Sequence, residues 1–206
     1  LGHETANRSV WGKFERYDAE DSGFGSVDPA AYDPTGSEIR ITYPMQTFNK
    51  FSAGYRADDL GTAIADQVEI LGYGQNNERQ LQFGIGPFPA GPGTIEIETL
   101  NETHIRTYGG RAEARKLAAP SVLLTYGFDV WRERAIGTDD GLTTMIGFGP
   151  SPLEIVDDRP QLPTANFLSL GAFLQSEIDA GDRVSFVAGA RYQRVNAKTF
   201  ETPGLE

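Results

Sequence analysis

The sequence predicts an all-β protein, an antiparallel section of a transmembrane β-barrel. Three observations carry this. Apolar and polar residues alternate with a period of two over several runs, one of them far longer than the 3–10 residues of most soluble strands. Short and long connectors alternate between the runs, as in barrels with short periplasmic turns and long extracellular loops. No stretch approaches the roughly 20 apolar residues of a membrane helix.

The longest run is 38–57, EIRITYPMQTFNKFSAGYRA. Its odd positions, Ile39, Ile41, Tyr43, Met45, Phe51, Ala53 and Tyr55, read as one face, with imperfections at Phe48 and Asn49. Tyr43 and Tyr55 bracket that face as an aromatic girdle would. In 121–134, Val122, Leu124, Tyr126, Phe128 and Val130 oppose Thr125, Gly127, Asp129, Trp131 and Glu133. In 168–178, Leu168, Leu170, Ala172, Leu174 and Ile178 oppose Ser169, Gly171, Gln175 and Glu177. In 183–194, Val184, Phe186, Ala188, Ala190 and Tyr192 oppose Arg183, Ser185, Gly189, Arg191 and Gln193.

Two further runs are less regular. In 65–83, Val68 and Ile70 are out of phase with Leu71, Tyr73, Leu81 and Phe83, which predicts a bulge or a partial strand. In 94–116 the membrane part is expected at 106–116. With 8–17, this makes about seven strands. The runs 38–57, 94–116 and 166–178 would descend to the periplasm, and 8–17, 65–83, 121–134 and 183–196 would ascend. Residues 18–37 and 135–165 read as long loops. Gly84, Gly86, Gly91 and Gly93, interleaved with Pro87, Pro89 and Pro92, read as an external loop. At most a helical turn is expected in 60–70.

Seven strands cannot close an even-stranded barrel, and open edges in lipid leave backbone groups unsatisfied. The whole chain, 1–206, is therefore expected to be a partial barrel domain. The start Leu-Gly-His-Glu-Thr has neither an initiating Met nor the pattern of a signal peptide, in keeping with a fragment or processed piece. Arg40, Lys50, Arg56, Asp129, Glu133, Glu177 and Arg191 would line a wide, hydrated or plugged interior.

The formal net charge of −11 argues against a nucleic-acid partner, which needs clustered Lys and Arg. The absence of Cys excludes disulfides, thiolate metal sites and cysteine nucleophiles. No nucleophile elbow, P-loop or dinucleotide fingerprint occurs. Glu96, Glu98, Glu102 and Glu113 offer carboxylate pairs, as any all-β protein does, and no catalysis is expected of them. The acidic groups Asp18, Glu20 and Asp21, Asp139 and Asp140, and Asp157 and Asp158 lack calcium-loop spacing and read as solvated loops. Trp11, Phe14 and Tyr17 read as girdle and wall.

Three segments in order resemble one family. They are Thr125-Tyr126-Gly127-Phe128-Asp129-Val130, then Leu170-Gly171-Ala172-Phe173-Leu174-Gln175-Ser176-Glu177-Ile178, and after a short turn Gly189-Ala190-Arg191-Tyr192. Their order, spacing and turn length are similar to the mid-barrel of TonB-dependent outer-membrane receptors. The segment from Ile41-Thr42-Tyr43-Pro44 to Arg56, with Asn77-Glu78-Arg79, resembles the haem and haemoglobin receptor branch. The resemblance implies a Gram-negative outer membrane, a barrel of about 22 strands holding a plug, and TonB-dependent uptake of haem, a ferric siderophore or cobalamin. The implied partners are outer-membrane lipid, that small ligand, and the TonB complex acting through the plug. No plug sequence, TonB box or closing C-terminal strand is recognised in the chain.

No catalytic residue, cofactor site or metal site is assigned. Of the two histidines, His3 and His104, the latter is the candidate ligand for haem iron or another metal, near the extracellular end of a descending strand. The competing readings are a soluble β-sandwich binding module and a passive porin-like channel.

Overall fold

A computed structural model describes residues 1–23, 38–181 and 183–202. They form a single antiparallel sheet of nine strands. In chain order these are β1 (Gly2–Glu4), β2 (Arg8–Gly23), β3 (Glu38–Ala57), β4 (Gln67–Ala90), β5 (Gly93–Ala119), β6 (Val122–Ile146), β7 (Leu153–Asp157), β8 (Ala165–Asp179) and β9 (Ser185–Thr199). Each long strand pairs with the next along the chain, and β7 continues the β6 ladder beyond the end of β8.

Residues facing each other across a ladder share a face of the sheet, so the register assigns every side chain. One row is Val10, Tyr55, Ile70, Ala112, Phe128, Ala172 and Tyr192. Below it lie Val68, Ala114, Tyr126, Leu174 and Ala190, and further down Ile178 and Phe186. This apolar face is exposed: Phe14, Phe51, Phe128, Phe186 and Tyr192 are each more than half accessible. The opposite face carries Lys13, Glu15, Lys50, Arg56, Glu113, Asp129, Glu133, Glu177 and Arg191.

Among the described residues no second layer covers the apolar face. Ala57 and Ala65 are the only buried hydrophobic residues among those described. The accessible surface is 14,099 Å², against about 9,500 Å² for a globular monomer of this mass. This contradicts the β-sandwich reading, which needs two sheets packed face to face. A single sheet with an uncovered apolar face is instead what a lipid-facing barrel wall presents. The outward apolar stretch of β8, Leu168 to Ile178, matches the 9–11 residues that a tilted strand needs to cross a bilayer. The lower limit of the apolar band steps down the register, from the row of Val10 and Tyr55 on β2 and β3 to that of Val122, Ile178 and Phe186 on β6, β8 and β9. Tilted strands impose that drift when the band stays level.

The structure corrects several expectations. Pro44 lies in a bulge: β3 shifts register against β4 between Thr42 and Gln46. A proline has no amide hydrogen for the ladder, so the irregularity falls there. The bulge moves Ile39 and Ile41 to the face opposite Phe51 and Tyr55. It also puts Arg40 on the outer face, in register with Gly84 and Glu98, so Arg40 is not among the lumen charges. Tyr43 stacks 6.0 Å from the Arg79 guanidinium on the inner side and takes no part in a lipid-facing girdle. Of the β2 aromatics, Phe14 alone faces outward. Trp11 and Tyr17 pair with Gly54 and Phe48 on the inner face.

The bulge expected in 65–83 is absent: β4 and β5 keep one register from Gln67 to Ile85. The glycine- and proline-rich segment is no loop but a hairpin with a two-residue turn at 91–92. Likewise β6 runs on to Ile146, and β7 occupies part of the expected loop 135–165. β5 is continuous above the expected membrane part. Residues 58–66 form an irregular, bent connector without a helical turn. Of the loop expected at 18–37, residues 18–23 belong to β2 and the remainder lies outside the described residues.

Candidate functional site

The inner face is a lattice of neutralised charge. Arg191 donates from Nη2 to Asp129 at 2.9 Å, reaching from β9 across β8 to β6. Glu113 is held between Arg111 at 2.5 Å and Arg115 at 3.0 Å. The Arg111 guanidinium lies 5.0 Å from the centroid of Phe173, and Lys50 Nζ lies 5.4 Å from that of Tyr73. Higher up, the Thr107 hydroxyl donates to Glu133 at 3.2 Å and accepts from Gln75 at 3.4 Å. Gln193 donates to the fully buried Ser169 hydroxyl at 2.9 Å. Most of the charges named here are thus paired with a neighbour on the same face. Such a surface faces water or a polar plug at low cost, whereas unpaired charges facing lipid are costly.

The glycines of this face are spacers. A Cβ on Gly171 would lie 2.6 Å from Asp129 Oδ2 and 2.7 Å from Arg191 Nη2, in the gap where that pair meets. The segments singled out in the sequence therefore converge: Asp129 on β6, Gly171 on β8 and Arg191 on β9 form one contact, with Phe173 beside it under Arg111.

Beyond the apolar band, β4, β5 and β6 continue as a tall sheet. They run 24, 27 and 25 residues, well over twice the length needed to cross lipid. Arg40 reaches Glu98 at 3.2 Å and Glu96 at 3.4 Å there. Asn101 Nδ2 and the Gln161 amide both donate to the buried Asp139, at 2.9 and 2.8 Å, and so tie the connector after β7 to β5 and β6. Near its outer margin Asp157 is held at a pKa of about 2, first by the Arg159 side chain and then by the Arg159 amide. A shallow groove of about 320 Å³ is lined by Gln82, Glu98, Leu100, Asp140, Leu142 and Val156.

The carboxylates considered for catalysis do not converge. Glu96 and Glu98 pair with Arg40, Glu102 accepts from Gln80, and Glu113 lies on the other face. Asp139 and Asp140 point to opposite faces, and Asp18 pairs with Arg16. Among the described residues no group of three or more His, Cys, Asp or Glu is placed to hold a metal ion. His104 is on the outward face of the rim, its Nδ1 3.5 Å from Glu78 Oε1, and Glu78 also accepts from Asn76 at 2.7 Å. His3 is on β1, opposite Val10.

At the lower end the connector 58–66 folds back on the sheet. Asp66 accepts from Lys116 Nζ at 2.7 Å and from the Leu117 amide at 2.8 Å, and Tyr126 donates to the Ile64 carbonyl. These bonds, Lys116 first, pull the Asp66 carboxyl below its ordinary value of 3.8.

A wall one sheet thick, apolar on one side and charge-paired on the other, with a tall rim at one end, matches a known family. The family model described as TonB dependent receptor-like, beta-barrel matches residues 2–205. The chain belongs to the TonB-dependent receptor β-barrel family. No curated protein sequence matches it significantly. The family comprises transporters of the Gram-negative outer membrane, not enzymes. In this receptor wall the apolar face accordingly meets lipid and the charge-paired face meets the lumen. The family match does not identify a haem or haemoglobin branch.

The outward cations were missed by sequence reasoning. Arg16, Arg106, Arg132 and Arg194 share the parity of the lipid-facing residues and stand one step past their upper limit. That position in the alternation was the available signal.

Proposed function

We propose that this wall belongs to a receptor that takes up a scarce nutrient, such as haem or a ferric siderophore, by TonB-dependent transport. In this reading residues 1–206 supply part of a barrel domain, and a plug held in the lumen couples to TonB. The rise of β4, β5 and β6 above the apolar band supports the reading most strongly. So tall a braced rim suits a receptor, which needs a rigid surface to capture its ligand before import. The charge-paired lumen face supports it too, since it can sit against a polar plug.

The test is uptake by the intact receptor, offered haem, a ferric siderophore and cobalamin separately, with and without functional TonB. Uptake of one ligand that stops when TonB is lost is expected. Uptake that continues unchanged without TonB would move the protein to the passive-channel reading.

His104 is the proposed iron ligand within the haem form of this reading. Glu78 beside Nδ1 would orient the ring and leave Nε2 outward. Because His104 points away from the lumen, it would hold haem on the outer surface of the rim. Haem titration of His104→Ala followed at the Soret band decides this. Lost affinity assigns the iron to Nε2, and unchanged affinity withdraws the assignment.

A further inference from the structure

On its lumen side the rim changes character. Above the charge-paired zone, register sets Ile39, Ile85, Ile97 and Ile155 in one row across β3, β4, β5 and β7, with Thr143 of β6 between the last two. Ile41 and Phe83 form the row below. Neighbouring strands lie about 4.8 Å apart, so four steps make the row roughly 19 Å wide. Ile39 is 45% and Ile155 49% exposed. The lipid is on the other side of the sheet and ends lower down, so it does not account for these side chains. A broad aliphatic face turned to water marks a binding surface.

Arg79 stands at the lower edge of that surface, on the same face of β4. It is in register with Gln46 on β3 and Thr103 on β5. The other arginines of this face, Arg56, Arg111, Arg115 and Arg191, are each held by a carboxylate. Among the described residues Arg79 has no such partner, and its Nε is buried without a hydrogen-bond acceptor. The neighbouring Glu78 points outward, to His104. Tyr43 holds the guanidinium from one side, its ring centroid 6.0 Å away. Further along the same row is Gly137, where a Cβ would meet nothing nearer than the Glu102 carbonyl oxygen at 3.8 Å, so the space in front of it is open. A partly desolvated guanidinium without an anion is costly to keep. Its planar fork fits a carboxylate.

We infer that Arg79 is a specificity-determining residue, and that the ligand it selects is a flat, apolar molecule carrying a carboxylate. The carboxylate meets the guanidinium that Tyr43 holds in place. The apolar body lies above it, on Ile41, Phe83 and the isoleucine row. A ligand without an acid, or one polar on all sides, loses one half of this match. The inference rests on the receptor reading. Binding is measured without TonB, so its failure and a failure of TonB-dependent uptake are told apart.

The experiment is a fluorescence titration of the intact receptor, in one fixed detergent, with protoporphyrin IX and with its dimethyl ester. Both are flat apolar rings, and only the first carries free carboxylates. Neither contains iron, so ligation by His104 does not contribute. The acid should bind roughly tenfold more tightly than the ester, the size of one charge-assisted contact. Arg79→Gln should lower the affinity for the acid by a similar factor and leave that for the ester unchanged, a split that general misfolding does not produce. Arg79→Lys, which keeps the charge but not the fork, should recover part of the loss. Ile85→Thr should weaken acid and ester alike. Equal binding of acid and ester, or binding of neither, would overturn the inference. So would unchanged acid binding in Arg79→Gln, and if that variant also melted at a lower temperature, Arg79 would be assigned to a carboxylate of the plug.

Discussion

Arg191 Nη2 lies 2.8 Å from Asp129 Oδ2, although β8 runs between their strands. The contact exists because Gly171 has no side chain in the gap. Asp129 is one-fifth exposed and Arg191 nearly half, so solvent screens the pair and its coupling is modest. A double-mutant cycle with Asp129→Ala and Arg191→Ala should give about 0.5–1 kcal/mol in urea unfolding of the refolded barrel. Gly171→Ala should abolish most of that coupling by displacing both groups.

Gly127 meets a harder obstacle. A Cβ there would fall 2.2 Å from the Ala112 carbonyl oxygen and 2.9 Å from the Phe173 ring. Backbone cannot swing aside as a guanidinium can. Gly127→Ala should therefore cost about 1–3 kcal/mol, the usual range for overpacking, and more than Gly171→Ala in the same unfolding assay.

The connector at the lower end should be sensitive to acid. The folded state lowers the Asp66 pKa below 3.8, so its bonds to Lys116 and Leu117 stabilise the connector above that pH. The contribution disappears as pH falls through the depressed value. Amide exchange of 58–66 should speed up below pH 3.8 relative to the strand interiors. Asp66→Asn should show the faster exchange already at neutral pH.

The two faces should tolerate charge very differently. Phe128→Arg puts a cation into lipid near mid-band and should cost about 2–4 kcal/mol. Thr125→Arg, three residues earlier but on the lumen face, should cost less than about 1 kcal/mol. Unfolding in lipid vesicles measures both.

The strands that cross lipid were readable from sequence because lipid on one side and a polar lumen on the other force strict alternation. Val122 to Val130 and Leu168 to Ile178 show this. The same rule failed at Pro44, where one extra residue reverses the parity of everything before it. Ile39, Ile41 and Arg40 were misassigned for that reason. It also failed above the band. At Gly84–Ala90 and Ala135–Ile146 neither face meets lipid, so no alternation is imposed, and glycine and proline made strand look like loop. The pairing of Asp129 with Arg191 was beyond reach because spacing along the chain does not reveal a diagonal contact across a third strand.

The even-numbered face of β6 meets lipid and the odd-numbered face meets the lumen, and everything above depends on that division. The chain contains no Cys, so single cysteines can be introduced without background. Nitroxide labels placed one at a time from Val122 to Val130 in the membrane-embedded receptor, leaving out Gly127 where a side chain meets the Ala112 carbonyl, report oxygen against water-soluble nickel accessibility. Oxygen maxima are expected at 122, 124, 126, 128 and 130, and nickel maxima at 123, 125 and 129. Equal nickel access at all eight positions, in a protein that stays folded and monomeric without detergent, would contradict it.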